Sequence, residues 1–219
     1  MTPPDVEIRP LDRTSKDYGD AGVVGARAFH NDPFFEYLAP RPIQRARGLS
    51  LFCRSYVSVL GDAGHILGAR RPDGRLVGVA AWVKPGCYPL SIPAQLRQGG
   101  GAFWALARRP KALLDGGKYL LAIEKVHPHE RLWYLQLLVV DPSMQRLGIG
   151  GMLQRPGMAS ADEDGLACYL ETQNPDNLPY YRRFGYEVVR ELRPVKNGPP
   201  LWTMRREPQD PDGEHGTTS

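Results

Sequence analysis

The sequence has few cysteines and no long apolar stretch, and each absence excludes a class of protein. Its three cysteines, Cys53, Cys87 and Cys168, are far apart and form no CxxC pair, which argues against a disulfide framework and favours a reducing compartment. No segment approaches the roughly 18 apolar residues of a membrane span, and the N-terminal segment lacks the basic and apolar regions of a signal peptide. We therefore expect a cytoplasmic protein with three buried, unreactive thiols and no membrane association.

Signals for metal sites and for nucleic-acid binding are also weak. Among the five histidines only His127 and His129 lie close together, and no cysteine is near them, so no metal site is predicted. The net charge is +4, from 28 basic and 24 acidic residues, without a basic run. This charge argues against nucleic-acid binding but is compatible with a pocket for an anionic ligand.

The sequence does contain enough apolar residues for a core. Its 219 residues, 42% hydrophobic and 24% charged, fit one large domain or two small ones. The 24 glycines and 21 prolines, about a fifth of the chain, predict a loop-rich fold. The final segment PQDPDGEHGTTS has no apolar core residue, so residues 206–219 are predicted to form a disordered tail.

Apolar periodicity divides the chain into strands and helices. Strands are predicted at residues 6–11, 65–69, 76–83, 131–140, 166–172, 186–192 and 201–205. Helices are predicted at 15–29, 45–60, 110–126, 152–164 and 177–184, with a break at Pro33 and an interruption at Pro156 and Gly157. Two short helices are predicted at 94–98 and 103–107. They belong to a segment, 84–130, that either covers one face of the sheet or lines a substrate pocket.

A loop with two spaced glycines follows the most apolar strand and leads directly into a helix. Its sequence from Gln145 to Gly151 is QRLGIGG. The first turn of a helix has unpaired N–H groups and positive potential, and Gly148 and Gly150 would let a phosphate approach the backbone. A turn needed only for packing would have the same sequence. The P-loop and Rossmann glycine patterns are both absent from this loop.

Two motifs in this half of the chain resemble those of the GNAT acyltransferases. Residues 145–150, QRLGIG, resemble the family's acetyl-CoA signature Q/R-x-x-G-x-G/A. Further on, LET followed by NPDNLPYYRRFGY resembles its closing motif, in which an Asn and a Tyr precede a Gly–aromatic pair. The similarity is dense from Trp133 to Tyr186, and within the family it is greatest to the puromycin N-acetyltransferase-like group.

The resemblance implies a fold and a cofactor. The implied fold class is α/β (α+β), with one domain over residues 6–205 and a mixed central sheet that is splayed between strands 4 and 5 and carries helices on both faces. The 84–130 segment would line the acceptor site. Acetyl-CoA is the implied co-substrate, without a metal. The residues implied to bind it are Leu138, Val139, Val140, Gln145, Arg146, Leu147, Gly148, Ile149, Gly150, Gly151, Asn174, Asn177 and Tyr181.

The resemblance also implies candidate catalytic residues. Tyr181 matches the family's tyrosine near the CoA sulfur, where it would protonate the departing thiolate; the alternative is core packing, which we favour for Tyr180. Glu171, at the end of a buried strand, is the candidate base, although a purely structural carboxylate is an equal alternative. The other candidate bases are Glu124, His127 and Glu130.

The candidate acceptor-binding residues are His30, Asp32, Tyr134 and Gln136. His30 and Asp32 follow the first helix, in a loop that borders the acceptor in this family, and an exposed loop is the alternative for His30. Tyr134 and Gln136 are two residues apart on the fourth strand, which places them on one face.

We therefore predict an N-acetyltransferase that moves the acetyl group of acetyl-CoA directly to a primary amine. Direct transfer is expected because Cys168 lies within a strand and has no neighbouring histidine. The acceptor is predicted to be a small molecule, and the subgroup resemblance suggests an antibiotic or an aminoacyl-nucleoside-like amine. The alternatives are acetylation of a protein lysine or N-terminus and a non-catalytic acyl-CoA sensor. A monomer or homodimer is expected, without nucleic-acid or membrane partners.

Overall fold

A computed structural model gives the structure of residues 5–90 and 109–209, and the short helices predicted at 94–98 and 103–107 lie outside these residues. The strands are β1 (Glu7–Pro10), β2 (Gly64–Arg70), β3 (Leu76–Val83), β4 (Trp133–Val140), β5 (Cys168–Thr172), β6 (Glu187–Leu192) and β7 (Leu201–Arg206). The α-helices are α1 (Ser15–Ala28), α2 (Pro33–Leu38), α3 (Pro42–Val59), α4 (Pro110–Val126), α5 (Ile149–Glu163) and α6 (Asn177–Arg182). The strands form one mixed sheet in the order β1-β2-β3-β4-β5-β7-β6.

Strand pairing changes direction at the middle of the sheet. The first four strands pair antiparallel, and β2 and β3 form the hairpin predicted from the Pro-Asp-Gly turn, where Gly74 has a φ of +79°. β4 then pairs parallel with β5, and β5 pairs antiparallel with β7. A parallel pair requires a crossover connection, and α5 supplies it.

Apolar side chains form a core on each face of this sheet. One core lies beneath α1 and α3, where Val24 and Val57 are buried. The other lies beneath α5 and α6, where Ile149 and Leu153 are buried. Helices therefore cover both faces, and the predicted mixed α/β fold class is confirmed.

Pro33 begins a helix instead of only ending one. Proline is tolerated at the first helical position because its missing N–H would have no helical partner there. Asp32 caps this helix, α2, by accepting a hydrogen bond from the Phe34 N–H at 3.0 Å. The break at Pro33 was predicted from the sequence, but the six-residue helix that follows it was not.

The predicted interruption of α5 at Pro156 is wrong, because the helix is continuous and begins at Ile149 instead of at residue 152. Packing against the sheet outweighs the local preference of proline and glycine. A Cβ at Gly157 would lie only 2.4 Å from the Trp82 ring, so the missing side chain lets the helix lie directly on β3.

Strand β7 extends one residue beyond its predicted end. Arg206 was assigned to the tail, but it is the last residue of β7 and is buried. Its guanidinium donates hydrogen bonds of 2.7 and 2.8 Å to the Asp162 carboxylate of α5. This pairing ties the last strand to a helix on one face of the sheet.

Two of the three thiols are buried as predicted. Cys53 and Cys168 are buried, whereas Cys87 is half-buried. Burial raises the pKa of Cys53 to about 12 and is the largest cause that raises the pKa of Cys168 to about 11, so neither thiol ionises near neutral pH. Among the described helices, none combines the length and the apolar character needed to cross a bilayer.

Helices α1 and α3 approach each other closely at two glycines of α1. A Cβ at Gly22 would lie 2.6 Å from the Ser50 carbonyl oxygen, and a Cβ at Gly25 would lie 2.4 Å from the Cys53 sulfur. Gly19, on the same helix, has no described atom within 4 Å of its Cβ position. The absence of a side chain at Gly22 and Gly25 therefore allows the short distance between the two helices.

We predict opposite effects on stability for alanine at Gly25 and at Gly19. Gly25→Ala forces α1 away from α3 and should lower the free energy of unfolding by about 1–3 kcal/mol. Gly19→Ala adds helix propensity without a new contact and should raise it by about 0.5–1 kcal/mol. Urea denaturation measures both values. Equal values for the two variants would show that this helix approach does not constrain the fold.

Candidate active site

The sheet opens between β4 and β5, as the resemblance implied. Trp133 pairs with Cys168 and Tyr134 pairs with Tyr169, and the two strands share no further residue pair. Each strand continues to pair with its other neighbour along its length. The facing edges beyond these two pairs therefore carry backbone N–H and C=O groups that a ligand can satisfy.

A β-bulge at Gln136 accompanies this opening. Consecutive residues of β3 pair with Leu135 and Leu137, so Gln136 is an extra residue on β4. Leu135 belongs to the core beneath α5, while Leu137 belongs to the core beneath α1. A bulge bends and twists its strand, which is consistent with the divergence of β4 from β5. It also interrupts the simple alternation that placed Tyr134 and Gln136 on one face.

The glycine loop lies where β4 ends. After a single turn at Pro142–Met144, Arg146 and Gly148 have φ values of +63° and +85°, and α5 begins at Ile149. This left-handed backbone directs the chain into α5, whose first N–H groups have no helical partner. Residues 145–148 are exposed. An anion can therefore reach the start of the helix from solvent.

Asp141 fixes the start of this loop. Its buried carboxylate accepts hydrogen bonds from the Ser143 N–H at 3.0 Å and the Ser143 hydroxyl at 2.7 Å. It also forms ion pairs with Arg27 at 3.0 Å and Arg75 at 3.2 Å. Burial by itself would raise the pKa of Asp141, but the hydrogen bonds and the arginine charges outweigh it and lower that pKa. The loop is thereby held to α1 and to the β2–β3 turn.

The glycines at the start of α5 are also required by packing. A Cβ at Gly150 would lie 2.6 Å from the Tyr180 hydroxyl oxygen, and a Cβ at Gly151 would lie 3.0 Å from the Phe184 ring. The Tyr180 hydroxyl accepts a hydrogen bond from Gln154 Nε2 at 3.2 Å. The packing explanation that the sequence left open therefore holds for Gly150. At Gly148 it is the positive φ of the backbone, and not packing, that favours glycine.

A cavity of about 360 Å³ lies between the opened strands and helices α2, α3 and α4. Its sheet side consists of residues 134–138 of β4 and Glu171 and Thr172 of β5, with Asn177 and Tyr181 beside them. Its other side combines six aromatic residues with leucines, small residues, Asp32 and Arg45. The aromatic residues there are Phe29, Phe34, Phe35, Phe52, Tyr56 and Tyr119. A pocket with this lining suits a small organic molecule.

Glu171 places a buried carboxylate in the wall of this cavity, with its side chain 4% exposed. Four nearby tyrosines have raised pKa values, with burial as the largest cause and the charge of Glu171 as the second. These are Tyr56, Tyr88, Tyr134 and Tyr169. Among the described residues, Glu171 Oε1 has no hydrogen-bond partner, and it lies 3.6 Å from His127 Nδ1. A buried carboxylate with an unused oxygen can accept a hydrogen bond from an ammonium group.

Tyr181 is 9% exposed and lines the same cavity. Its ring packs against Tyr180 and Tyr186, with centroid separations of 5.1 and 5.8 Å. Burial raises the pKa of the Tyr181 phenol, and Tyr180 adds to the effect. The hydroxyl therefore keeps its proton well above neutral pH and can donate it.

The structure brings seven of the predicted site residues together around the cavity. They are Asp32, Tyr134, Gln136, Leu138, Glu171, Asn177 and Tyr181. His30 is not among the lining residues, although Asp32 is. Burial is the largest influence on Asp32, and it raises the pKa of that carboxyl.

The other predicted cofactor residues lie outside the cavity. Residues 145–151 form the glycine loop and the first turn of α5, and Val139 belongs to the core beneath α1. Gln145 Nε2 donates a hydrogen bond to the Val140 carbonyl at 3.1 Å. The loop of Asn174 is fixed through Thr172, whose hydroxyl accepts hydrogen bonds from the Asn174 N–H at 3.3 Å and Asn177 Nδ2 at 3.0 Å.

The sequence analysis did not identify the aromatic wall of the cavity. Its rings touch one another in series, from Phe29 to Phe35 at 5.1 Å, then to Phe52 at 5.7 Å and Tyr56 at 4.5 Å. The adjacent phenylalanines at 34 and 35 and the four-residue spacing of Phe52 and Tyr56 were the available signals. Both patterns also fit ordinary core packing.

The open mixed sheet with a glycine loop after its fourth strand defines an acetyltransferase fold. The model of the Acetyltransferase (GNAT) family matches residues 27–186, which is well over half of the chain. The chain belongs to the GNAT acetyltransferase family.

Individual relatives agree with this assignment. An uncharacterised N-acetyltransferase from Schizosaccharomyces pombe is 26% identical over 212 residues, which cover 89% of this chain and 81% of that protein. The crystal structure of histone acetyltransferase HPA2 and related acetyltransferase from Corynebacterium glutamicum matches with a TM-score of 0.63 and 24% identity, covering 96% of this chain and 100% of that one. Arylalkylamine N-acetyltransferase 2 from Aedes aegypti matches with a TM-score of 0.55 and 14% identity, covering 92% and 98%. The two structures share the fold, and their names include both a protein acceptor and a small-molecule acceptor.

Proposed function

We propose that this acetyltransferase moves the acetyl group of acetyl-CoA to the primary amine of a small molecule with an apolar, ring-containing body. The observation that carries this proposal is the buried carboxylate of Glu171 in the wall of a cavity whose mainly apolar helix side includes six aromatic residues. A carboxylate suits the ammonium end of such a molecule, and the rings suit its body.

The opened sheet suits acetyl-CoA in two respects. The edges along which β4 and β5 no longer pair with each other offer partners for the amides of the pantetheine arm, and we assign this role to Leu138 and Val140. The exposed loop with positive φ at Gly148 offers N–H groups to the pyrophosphate, and Asn174 and Asn177 are assigned to the same ligand. When bound, acetyl-CoA supplies an activated acetyl thioester.

The lining of the cavity favours an acceptor with an apolar body. Helices α2, α3 and α4 supply this apolar lining opposite the sheet. We therefore assign α4, which belongs to the 84–130 segment, to the acceptor pocket. Apolar surface of the acceptor that is buried against the rings of the pocket contributes roughly 25 cal/mol per Å² to the free energy of binding.

Glu171 and Tyr181 receive complementary roles in moving protons. Glu171 accepts the proton of the bound ammonium, which leaves a nucleophilic amine. Tyr181 holds a proton that a departing thiolate needs, because burial raises the pKa of its phenol. Transfer is direct in this proposal, since the raised pKa of Cys168 makes that buried thiol a poor nucleophile.

An amine panel with acetyl-CoA, read as released thiol, tests the proposed function. We expect kcat/KM to be at least about tenfold higher for an arylalkyl amine than for an aliphatic diamine or a peptide with a free N-terminus. An aminoglycoside and an aminoacyl nucleoside test the resemblance to the puromycin N-acetyltransferase-like group. Phe52→Ala should raise KM for the aryl amine more than for the diamine, because only the aryl amine contacts the ring.

Each other result of the panel points to a different function. The fastest turnover with peptides would indicate a protein acceptor. Acetyl-CoA binding without thiol release for any amine would indicate a sensor. Glu171→Gln tests the base whichever amine is the acceptor. It should lower kcat by about 100-fold for that amine, which distinguishes loss of the base from poor binding of the amine.

The role of Gly150 in binding acetyl-CoA can be separated from its packing against Tyr180. In the wild type, a Cβ at Gly150 would meet the Tyr180 hydroxyl at 2.6 Å, but the next ring atom is 3.4 Å away. Gly150→Ala in a Tyr180→Phe background therefore adds a methyl group without that clash. We expect acetyl-CoA to bind this double variant at least tenfold more weakly than the Tyr180→Phe variant, about 1.4 kcal/mol by calorimetry. Equal affinity would remove this turn from the pyrophosphate site.

Replacing Tyr181 by phenylalanine distinguishes proton donation from packing. Tyr181→Phe keeps the ring, so the melting temperature should change little, while kcat should fall about 100-fold with acetyl-CoA affinity unchanged. Because the pKa of Tyr181 is raised, its ionisation should not reduce wild-type kcat below about pH 10. Turnover of the phenylalanine variant within about threefold of wild type would end the general-acid assignment.

A further inference from the structure

Glu171 and His127 meet at a wall that separates two cavities. Glu171 lines the aromatic acceptor cavity of about 360 Å³, and His127 lines a second cavity of about 270 Å³. Their facing atoms, Glu171 Oε1 and His127 Nδ1, are 3.6 Å apart. Both atoms are buried, and neither has a hydrogen-bond partner among the described residues. Catalytic hydrogen bonds are often long before substrate binds, so a small movement would join these two atoms.

The fold holds the His127 ring firmly in this position. His127 caps the C-terminal end of α4, where its N–H donates to the Ile123 carbonyl at 2.8 Å. Its ring lies 3.8 Å from the Tyr88 ring, centre to centre, and its other neighbours are the rings of Tyr134 at 4.9 Å and Tyr169 at 5.0 Å. The imidazole is thus held by aromatic contacts and keeps its Nδ1 free.

The second cavity differs from the first in its chemistry. Its lining includes the exposed charged side chains of Lys84, Glu124, Glu130 and Arg131, together with His129. The helix side of the acceptor cavity consists mainly of phenylalanines, leucines and other apolar residues, with Asp32 and Arg45 among them. The second cavity therefore offers a polar path to water that does not pass the acceptor.

The proposed reaction requires such an exit. An ammonium acceptor and acetyl-CoA give an amide, the CoA thiol and one net proton. We propose that this proton leaves through Glu171 and His127 into the second cavity, so that His127 is a relay residue acting through the base. This inference rests on the proposed function and adds to it a route and a residue.

The proton count balances. Of the two protons that the ammonium nitrogen loses on becoming an amide, the one shed after attack replaces the proton that Tyr181 gives to the thiolate, and the one shed before attack leaves by the relay. The ammonium loses a proton to the Glu171 carboxylate, and the carboxylic acid passes it to His127 Nδ1, which restores the carboxylate. The imidazolium then loses its Nε2 proton to water in the second cavity, and exchange with that water restores the starting tautomer. No oxidant, metal or covalent intermediate takes part.

The charges around the pair are compatible with this route. Glu171 faces Tyr56 of α3, Tyr134 of β4, Tyr169 of β5 and Tyr88 of the segment after β3, and all four have raised pKa values. Glu124 of α4 also acts on Tyr88, whose pKa rises to about 12, with burial as the largest cause. The surrounding phenols therefore stay neutral, which leaves the carboxylate and the imidazole as the groups that exchange the proton.

The test compares His127→Ala with His127→Gln on the best amine of the panel. Both variants should lose at least about tenfold in kcat at pH 7, with KM for acetyl-CoA unchanged. The loss should shrink as the pH approaches the pKa of the amine, because a neutral amine brings no surplus proton. Added imidazole should restore turnover in His127→Ala, whereas pyrazole, which has the same size and is a much weaker base, should not.

Several results would overturn the relay. These are a deficit of equal size at every pH, equal rescue by pyrazole, and an equal loss in His129→Ala, which removes an exposed histidine of the same cavity. If His127→Ala does not fold, as judged by a thermal melt, the pH profile of His127→Gln decides. Failure of the wild type to acetylate any amine would instead reject the proposed function, so the two failures are distinguishable.

Discussion

Beyond Tyr134 and Tyr169, β4 and β5 no longer pair, and the bulge at Gln136 accompanies their separation. Unpaired backbone groups in the middle of a sheet are costly, about 1–3 kcal/mol for each buried group. The gap persists because β3 and β7 hold the outer edges of the two strands, and its inner edges are available to a ligand. The glycine loop begins where β4 ends, and the cavity that Glu171 lines borders β4 and β5, so both lie at this opening.

Buried charges in this protein have two different kinds of partner. The buried Asp141 and the half-buried Asp162 are paired with arginines, which compensates the cost of burial and holds a loop or a strand in place. Glu171 faces phenols and a histidine instead, and its Oε1 has no hydrogen bond among the described residues. Both oxygens of the Asp162 carboxylate accept hydrogen bonds, whereas a buried carboxylate with an unused oxygen beside a cavity is typical of a functional group.

The order of the elements followed from the sequence, but several of their ends did not. Within residues 5–90 and 109–209, apolar periodicity identified all seven strands and five of the six α-helices. It failed where tertiary packing decides: α5 is continuous through Pro156 because it packs on Trp82, and α2 begins at Pro33 because Asp32 caps it. Arg206 belongs to β7 and not to the predicted tail, and its partner Asp162 lies more than 40 residues away in the chain.

The sequence by itself determined the glycine loop and the closing motif, because each is a short segment that encodes its own local backbone conformation. The positive φ at Gly148 and the placement of Tyr181 on α6 are examples. The tertiary structure decided the aromatic wall and the meeting of Glu171 with His127. The residues involved come from separate helices and strands and look like ordinary core residues in the sequence. Only the packing of α2, α3 and α4 against an opened sheet makes them one site, since contacts between distant segments leave no local pattern to read.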